Sequence, residues 1–87
     1  MVSQKFIIKN ESGLHARPAA VMAKAAGKCR SEVIIRYGEK TIQAKSILNI
    51  MAAAIRSGAE IEVQCTGETE EADLKTLGEL IESGLGE

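Results

Sequence analysis

Four short runs of alternating apolar and polar residues, interleaved with three segments of helical period, constrain this chain most. Period two buries one face of a strand, and period 3.6 buries one stripe of a helix. In Gln4–Lys9, Phe6 and Ile8 alternate toward one face; in Glu32–Tyr37, Val33 and Ile35 do the same. Gly38-Glu39 turns the chain, and Thr41–Ala44 pairs back as a hairpin. Glu60–Thr66 alternates throughout and leaves one polar face. The alanine-rich stretch 16–27 reads as a helix, because Ala is the best helix former and Gly27 fits a stop. Ser46 starts a second helix, Ile47 to Arg56, which Ser57-Gly58 ends. Residues 70–83 form a third. Its Leu74, Leu77, Ile81 and Leu85 share a stripe, and Glu70, Glu71 and Asp73 sit at the dipole-favoured start. The order βαββαβα predicts a two-layer α+β domain, with helices on one sheet face and water on the other.

The chain has 87 residues, enough for one domain spanning 1–87 with one modest core. Phe6 and Tyr37 are its only aromatics, so the core is aliphatic. A net charge of −1 argues against a general nucleic-acid binder. The missing aromatic platform argues against an RNA-binding α+β domain in particular. The charge is unevenly spread: residues 1–57 hold ten Lys/Arg and three Asp/Glu, residues 58–87 one and nine. That allows a basic face for acidic partners around the N-terminal motifs. No apolar run is long enough to insert in a membrane, and the N-terminus has no signal-peptide core. The expectation is a cytoplasmic monomer. Cys29 and Cys65 lack CxxC spacing and read as incidental thiols, with no metal site and no cofactor.

Chemistry concentrates at Gly13-Leu14-His15-Ala16-Arg17-Pro18, which holds the only histidine and the only proline. Pro18 is tolerated in a first helical turn, where N–H groups have no intrahelical acceptor. His15 therefore stands at a helix N-terminus, with Arg17 two residues on. An imidazole is partly neutral near pH 7 and can act as a nucleophile. The free N–H groups and the dipole's positive end favour a phosphate there. Arg17 can add a charge-assisted hydrogen bond. A carrier must also release its phosphate, and an exposed loop-to-helix junction suits that better than a deep pocket. On the residues alone two readings stay open: a phosphoryl-carrying histidine, or a plain helix flank beside a surface cation. No Ser/His/Asp set, carboxylate pair or P-loop is present, which argues against a self-contained enzyme site.

Gly13-Leu14-His15-Ala16-Arg17-Pro18-Ala19 resembles the phosphorylation motif of HPr, the histidine-containing phosphocarrier family of the bacterial sugar phosphotransferase system. Lys45-Ser46-Ile47-Leu48-Asn49-Ile50-Met51 is similar to that family's regulatory-serine segment. The resemblance spans essentially the whole chain, including Gly58-Ala59-Glu60-Ile61 before the last strand. It implies an open-faced β-sandwich, a four-stranded antiparallel sheet with three helices on one side. It implies that His15 accepts phosphate on Nδ1 from phospho-Enzyme I and passes it to sugar-specific IIA components. Arg17 would orient the imidazole or bind the phosphate. Ser46 would be phosphorylated by an HPr kinase/phosphorylase, and that form would meet a catabolite-control regulator. Leu48 stands where many relatives carry methionine, an apolar swap that docking tolerates.

Ser46 also reads as a helix N-cap. A phosphate there would alter surface charge rather than fold. Ile47, Leu48, Ile50, Met51, Ala54 and Ile55 are more apolar than one buried face needs. Ile47, Leu48 and Met51, with Ala20, are expected to form an exposed docking patch beside His15. Arg17, Lys24, Lys45 and Arg56 would be its basic rim; the competing expectation is a fully buried second helix. Two other functions remain: an HPr-like carrier in a nitrogen or other phosphorelay, and a non-phosphorylated module that docks regulators through the Ser46 helix.

Overall fold

The computed structural model describes residues 1–86, so the last residue of the expected domain lies outside the described residues. The elements are β1 (Val2–Ile7), α1 (Ala16–Lys28), β2 (Glu32–Tyr37), β3 (Lys40–Gln43), α2 (Ile47–Ala52), β4 (Glu60–Thr66) and α3 (Glu70–Glu82). The predicted order βαββαβα is observed. The four strands form one antiparallel sheet in the order β1-β4-β2-β3. β4 is thus inserted between β1 and β2, and Val63 lies opposite both Gln4 and Ile35.

Alternation sorts the sheet's faces. Phe6, Val33, Ile35, Ile42, Ile61, Val63 and Cys65 are buried, while Ser3, Lys5, Arg36 and Thr41 are exposed. The helices cover the buried face with Ala19, Met22, Ala23 and Ala26 from α1, Ile50 from α2, and Leu74, Leu77 and Ile81 from α3. Small side chains let the layers close. A Cβ on Gly78 of α3 would lie 2.8 Å from Phe6 Cζ, so this glycine makes room for the chain's one phenylalanine.

Element ends differ from expectation where tertiary contacts override local signals. β1 starts and stops two residues earlier than Gln4–Lys9, because its pairing with β4 runs from Val2↔Cys65 to Ile7↔Glu60. Ile8 is still buried, and its N–H donates to the Ala59 carbonyl at 2.9 Å. β3 is Lys40–Gln43 rather than Thr41–Ala44, though Ala44 N–H still reaches the Val33 carbonyl at 3.2 Å. Gly27 does not stop α1; the helix runs to Lys28 and Cys29 caps it in extended conformation. Leu85 is buried but lies beyond the end of α3.

The largest correction is α2, which ends at Ala52 instead of Arg56. Ala53 is the C-cap, and Ala54 takes φ 53°, reversing the chain. The reversal buries Ile55 and lets its carbonyl accept the Leu14 N–H at 3.0 Å. That bond ties the segment after α2 to the loop before α1.

A polar clasp joins the segment after α1 to the start of α3. Asp73 Oδ2 accepts from Ser31 Oγ (2.6 Å), Ser31 N–H (3.2 Å) and Thr69 Oγ1 (2.8 Å). The Ser31 hydroxyl does most to hold the Asp73 carboxyl below its usual value; burial opposes, and the Thr69 hydroxyl and Ser31 N–H add to the lowering. A depressed carboxylate stabilises the fold above its unfolded pKa, about 3.9, and that stability is lost as pH falls through the folded value. Asp73→Ala strips the partner from a fully buried Ser31 and is expected to cost about 1–3 kcal/mol at pH 7. Urea unfolding at pH 7 and pH 3 checks this: the gap between variant and wild type shrinks at pH 3. A gap that widens would contradict the clasp.

Candidate functional site

The loop Asn10–Leu14 sets up the site. Gly13 takes φ +70°, a conformation that disfavours side chains. A Cβ on Gly13 would overlap the Ile55 carbonyl oxygen and lie 2.9 Å from Arg56 Cα. Leu14 turns into the core, and His15, next in sequence, faces outward and is exposed.

His15 is the N-cap of α1, with φ −78° and ψ −168°, and its side chain makes no cap hydrogen bond. Its carbonyl accepts the Ala19 N–H at 2.9 Å, closing the first turn. Ala16 and Arg17 therefore present N–H groups with no acceptor inside the helix, while Pro18 has none to present. No acidic residue sits in that first turn. The helix start thus keeps its positive character toward the solvent in front of it.

His15 lines an open hollow of about 540 Å³ together with Glu11, Ser12, Met51, Ala54, Ile55, Arg56 and Ser57. The hollow joins two segments distant in sequence: the loop leading into α1, and the end of α2 with the reversal after it. Its shape suits a docked surface or a phosphoryl group rather than an enclosed substrate.

The structure distributes the expected site residues unevenly. Met51 shares the hollow with His15. Arg17 is exposed on the first turn but is not among the residues lining the hollow; Arg56 is. Ile47, Leu48 and Met51 are 42%, 79% and 43% exposed, and of α2 only Ile50 is buried, which rules out a fully buried second helix. Ala20 is half-buried on α1. Lys24 is not in the hollow; with Lys28, Cys29 and Asp73 it borders a separate groove on the α1–α3 side. Lys45 donates to the Cys29 carbonyl at 3.5 Å. Ser46 caps α2 as expected, its Oγ accepting from Asn49 N–H (3.2 Å) and Asn49 Nδ2 (2.9 Å). The motif reading passed over Glu11, Ser12, Ala54 and Ser57 as lining residues. Nothing in the local sequence points to them; Ala54 in particular carries no signal for its left-handed backbone.

The thiols are poorly suited to chemistry. Burial above all pushes Cys65 up to about 11, and it raises Cys29 as well. Among the described residues no group of three or more metal-ligating side chains occurs, and no helix is long and apolar enough to cross a membrane.

Sequence and fold comparisons agree with this arrangement. The family described as "PTS HPr component phosphorylation site" matches residues 2–83. The "Phosphocarrier protein HPr" of Mycoplasma capricolum is 51% identical over 61 residues, covering 70% of this chain and 68% of that protein. The crystal structure of "HPr-C-His" from Thermoanaerobacter tengcongensis superposes with a TM-score of 0.95 at 39% identity, over 100% of this chain and 98% of that one. The "Multiphosphoryl transfer protein" of Haemophilus influenzae is 38% identical over 85 residues; this chain spans 94% of itself but only 17% of that protein. The chain belongs to the HPr family, the phosphocarriers of the phosphotransferase system. It is a carrier, not a catalytic enzyme, and its open sheet with three helices is that family's fold.

Proposed function

We propose that residues 1–87 act as one phosphocarrier domain whose phosphate acceptor is His15. The observation that carries this reading is an exposed imidazole at the N-terminus of α1, opening on a shallow hollow, in a chain of the HPr family. Phospho-Enzyme I supplies the phosphoryl group. The Nδ1 lone pair of His15 forms the new P–N bond as the bond from phosphorus to the donor atom breaks. The reverse logic delivers the group to a sugar-specific IIA component. The N–H groups of Ala16 and Arg17 and the Arg17 guanidinium stabilise the added charge. These are moderate terms, which keep the phosphate transferable.

Ile47, Leu48 and Met51, with Ala20 and Lys24, dock both partners in turn, and the protein works in the cytoplasm as a monomer. Ser46 is the regulatory site. Its hydroxyl already serves as a cap acceptor, so phosphorylation by an HPr kinase/phosphorylase leaves α2 in place and adds about 1.5–2 negative charges beside the docking patch. That charge weakens docking of acidic partners and creates a surface for a catabolite-control regulator.

The test is mass spectrometry after incubation with phosphoenolpyruvate and Enzyme I. Wild type is expected to gain a single acid-labile phosphate, and His15→Ala none. No phosphate on wild type, with Enzyme I itself phosphorylated, would refute the carrier reading.

A further inference from the structure

We infer that Arg56 is a second phosphate-binding cation of the His15 site, positioned by the clamp between Gly13 and the Ile55–Arg56 backbone. The inference rests on the carrier reading above and adds a residue to it. Arg56 follows a chain reversal whose consequence is its placement. Ala54 at φ 53° ends α2, and Ile55 plugs into the core. The Ile55 carbonyl accepts the Leu14 N–H at 3.0 Å. Arg56's own carbonyl accepts the Ala59 N–H at 3.1 Å, and Gly58 N–H reaches the Ile8 carbonyl at 2.8 Å. The Arg56 backbone is therefore held on both sides, 2.9 Å from where a Gly13 Cβ would stand.

Arg56 is exposed and lines the hollow that His15 lines, and Arg17 does not line it. Among the described residues of that lining Glu11 is the one carboxylate and Arg56 the one Lys/Arg. A phosphoryl group on His15 thus meets Glu11's charge, and Arg56 offsets it. The two arginines stand on different segments, Arg17 on α1 and Arg56 in the reversal after α2, so a phosphate on His15 is open to a cation from each. A guanidinium fork binds phosphate oxygens bidentately, and an ammonium cannot.

The experiment is an equilibrium partition. Equal amounts of wild type and Arg56→Gln are mixed with limiting phosphoenolpyruvate and a trace of Enzyme I until phosphate stops exchanging. The two masses are then read. A cation that only guides docking changes the rate and leaves the partition even. A cation on the phosphate draws it to wild type by about five-fold, the scale of a solvent-exposed charge-assisted contact. Arg56→Lys is expected to recover part of that preference. Arg36→Gln, on the open sheet face, matches the charge change and is expected to partition evenly. Nitrogen-15 NMR adds a direct signature: the Arg56 Nε–H shifts on phosphorylation of wild type, and that of Arg36 does not. An even partition between wild type and Arg56→Gln overturns the inference and leaves the carrier reading intact. No phosphate on either protein overturns both.

Discussion

Gly13→Ala is expected to lower stability by about 2–4 kcal/mol and to abolish phosphoryl transfer, although the new methyl's nearest neighbours are the Ile55–Arg56 backbone. Two costs add. Holding alanine at φ +70° costs about 1–2 kcal/mol. Overlap with the Ile55 carbonyl and Arg56 Cα adds about 1–3 kcal/mol, because the obstacle is backbone that is itself hydrogen-bonded. The smaller freedom of the unfolded alanine chain offsets only about 0.4–1 kcal/mol. For a chain this size each kcal/mol moves Tm by about 4–8 °C, so a fall of about 10 °C or more is expected. Transfer suffers beyond the stability loss. Any relief of the overlap moves the His15 loop away from Arg56 and Met51 and opens the hollow. Gly27→Ala is the matched control. It lies inside α1 with ordinary φ and nothing within 4 Å of its Cβ, and is expected to stabilise by about 0.5–1 kcal/mol. Differential scanning calorimetry on the pair settles it: a Tm for Gly13→Ala within 2–3 °C of wild type would disprove the close approach (about half a kcal/mol on the same scale).

The contrast between these glycines shows what was legible in the sequence. One stands before α1 and the other inside it, and local rules alone do not settle either. In the sequence Gly13 is visible only as the first residue of the His15 motif. Its requirement comes from Ile55 and Arg56, more than 40 residues away in sequence. Gly27 was read as a stop, yet α1 passes through it because Ala26 is anchored in the core and Cys29 provides the end. Strand faces were readable, since alternation reports burial directly; Phe6, Val33, Ile35, Ile61 and Val63 are all inside. The end of α2 was not. Ser57-Gly58 looks like a terminator, whereas the helix stops at an alanine pair whose left-handed member has no propensity signal. The position of His15 on a helix start was legible because Pro18 and the alanine run mark it. The hollow in front of it was not, because Ala54, Ile55, Arg56 and Ser57 of its lining come from the α2 reversal. The Asp73–Ser31 clasp was equally silent, since Asp73 reads fully as a favourable charge at a helix start.

Met51→Glu is expected to slow phosphoryl transfer from Enzyme I by about 10–100-fold in kcat/KM while changing stability by less than about 0.5 kcal/mol. The fold has little use for Met51. Its side chain is 43% exposed, and α2 is anchored by Ile50, by the Ser46 cap and by the reversal at Ala53-Ala54. Three large apolar side chains facing water from a six-residue helix are unfavourable for a free protein and favourable for a docked one. A carboxylate buried in that contact would lack a partner, and on the order of 1.4–2.8 kcal/mol lost at the transition state corresponds to the stated slowing. Met51 also lines the hollow with His15, so its charge could act on the phosphate instead of on docking. Leu48→Glu separates the two effects. Leu48 is 79% exposed and absent from the hollow lining, so only docking can suffer there. Slower transfer in both variants, with phosphate partitioning evenly between Leu48→Glu and wild type, places the loss in partner contact. Full transfer rates in both, with Tm unchanged, would mean that partners dock elsewhere and that the exposed face of α2 needs another explanation.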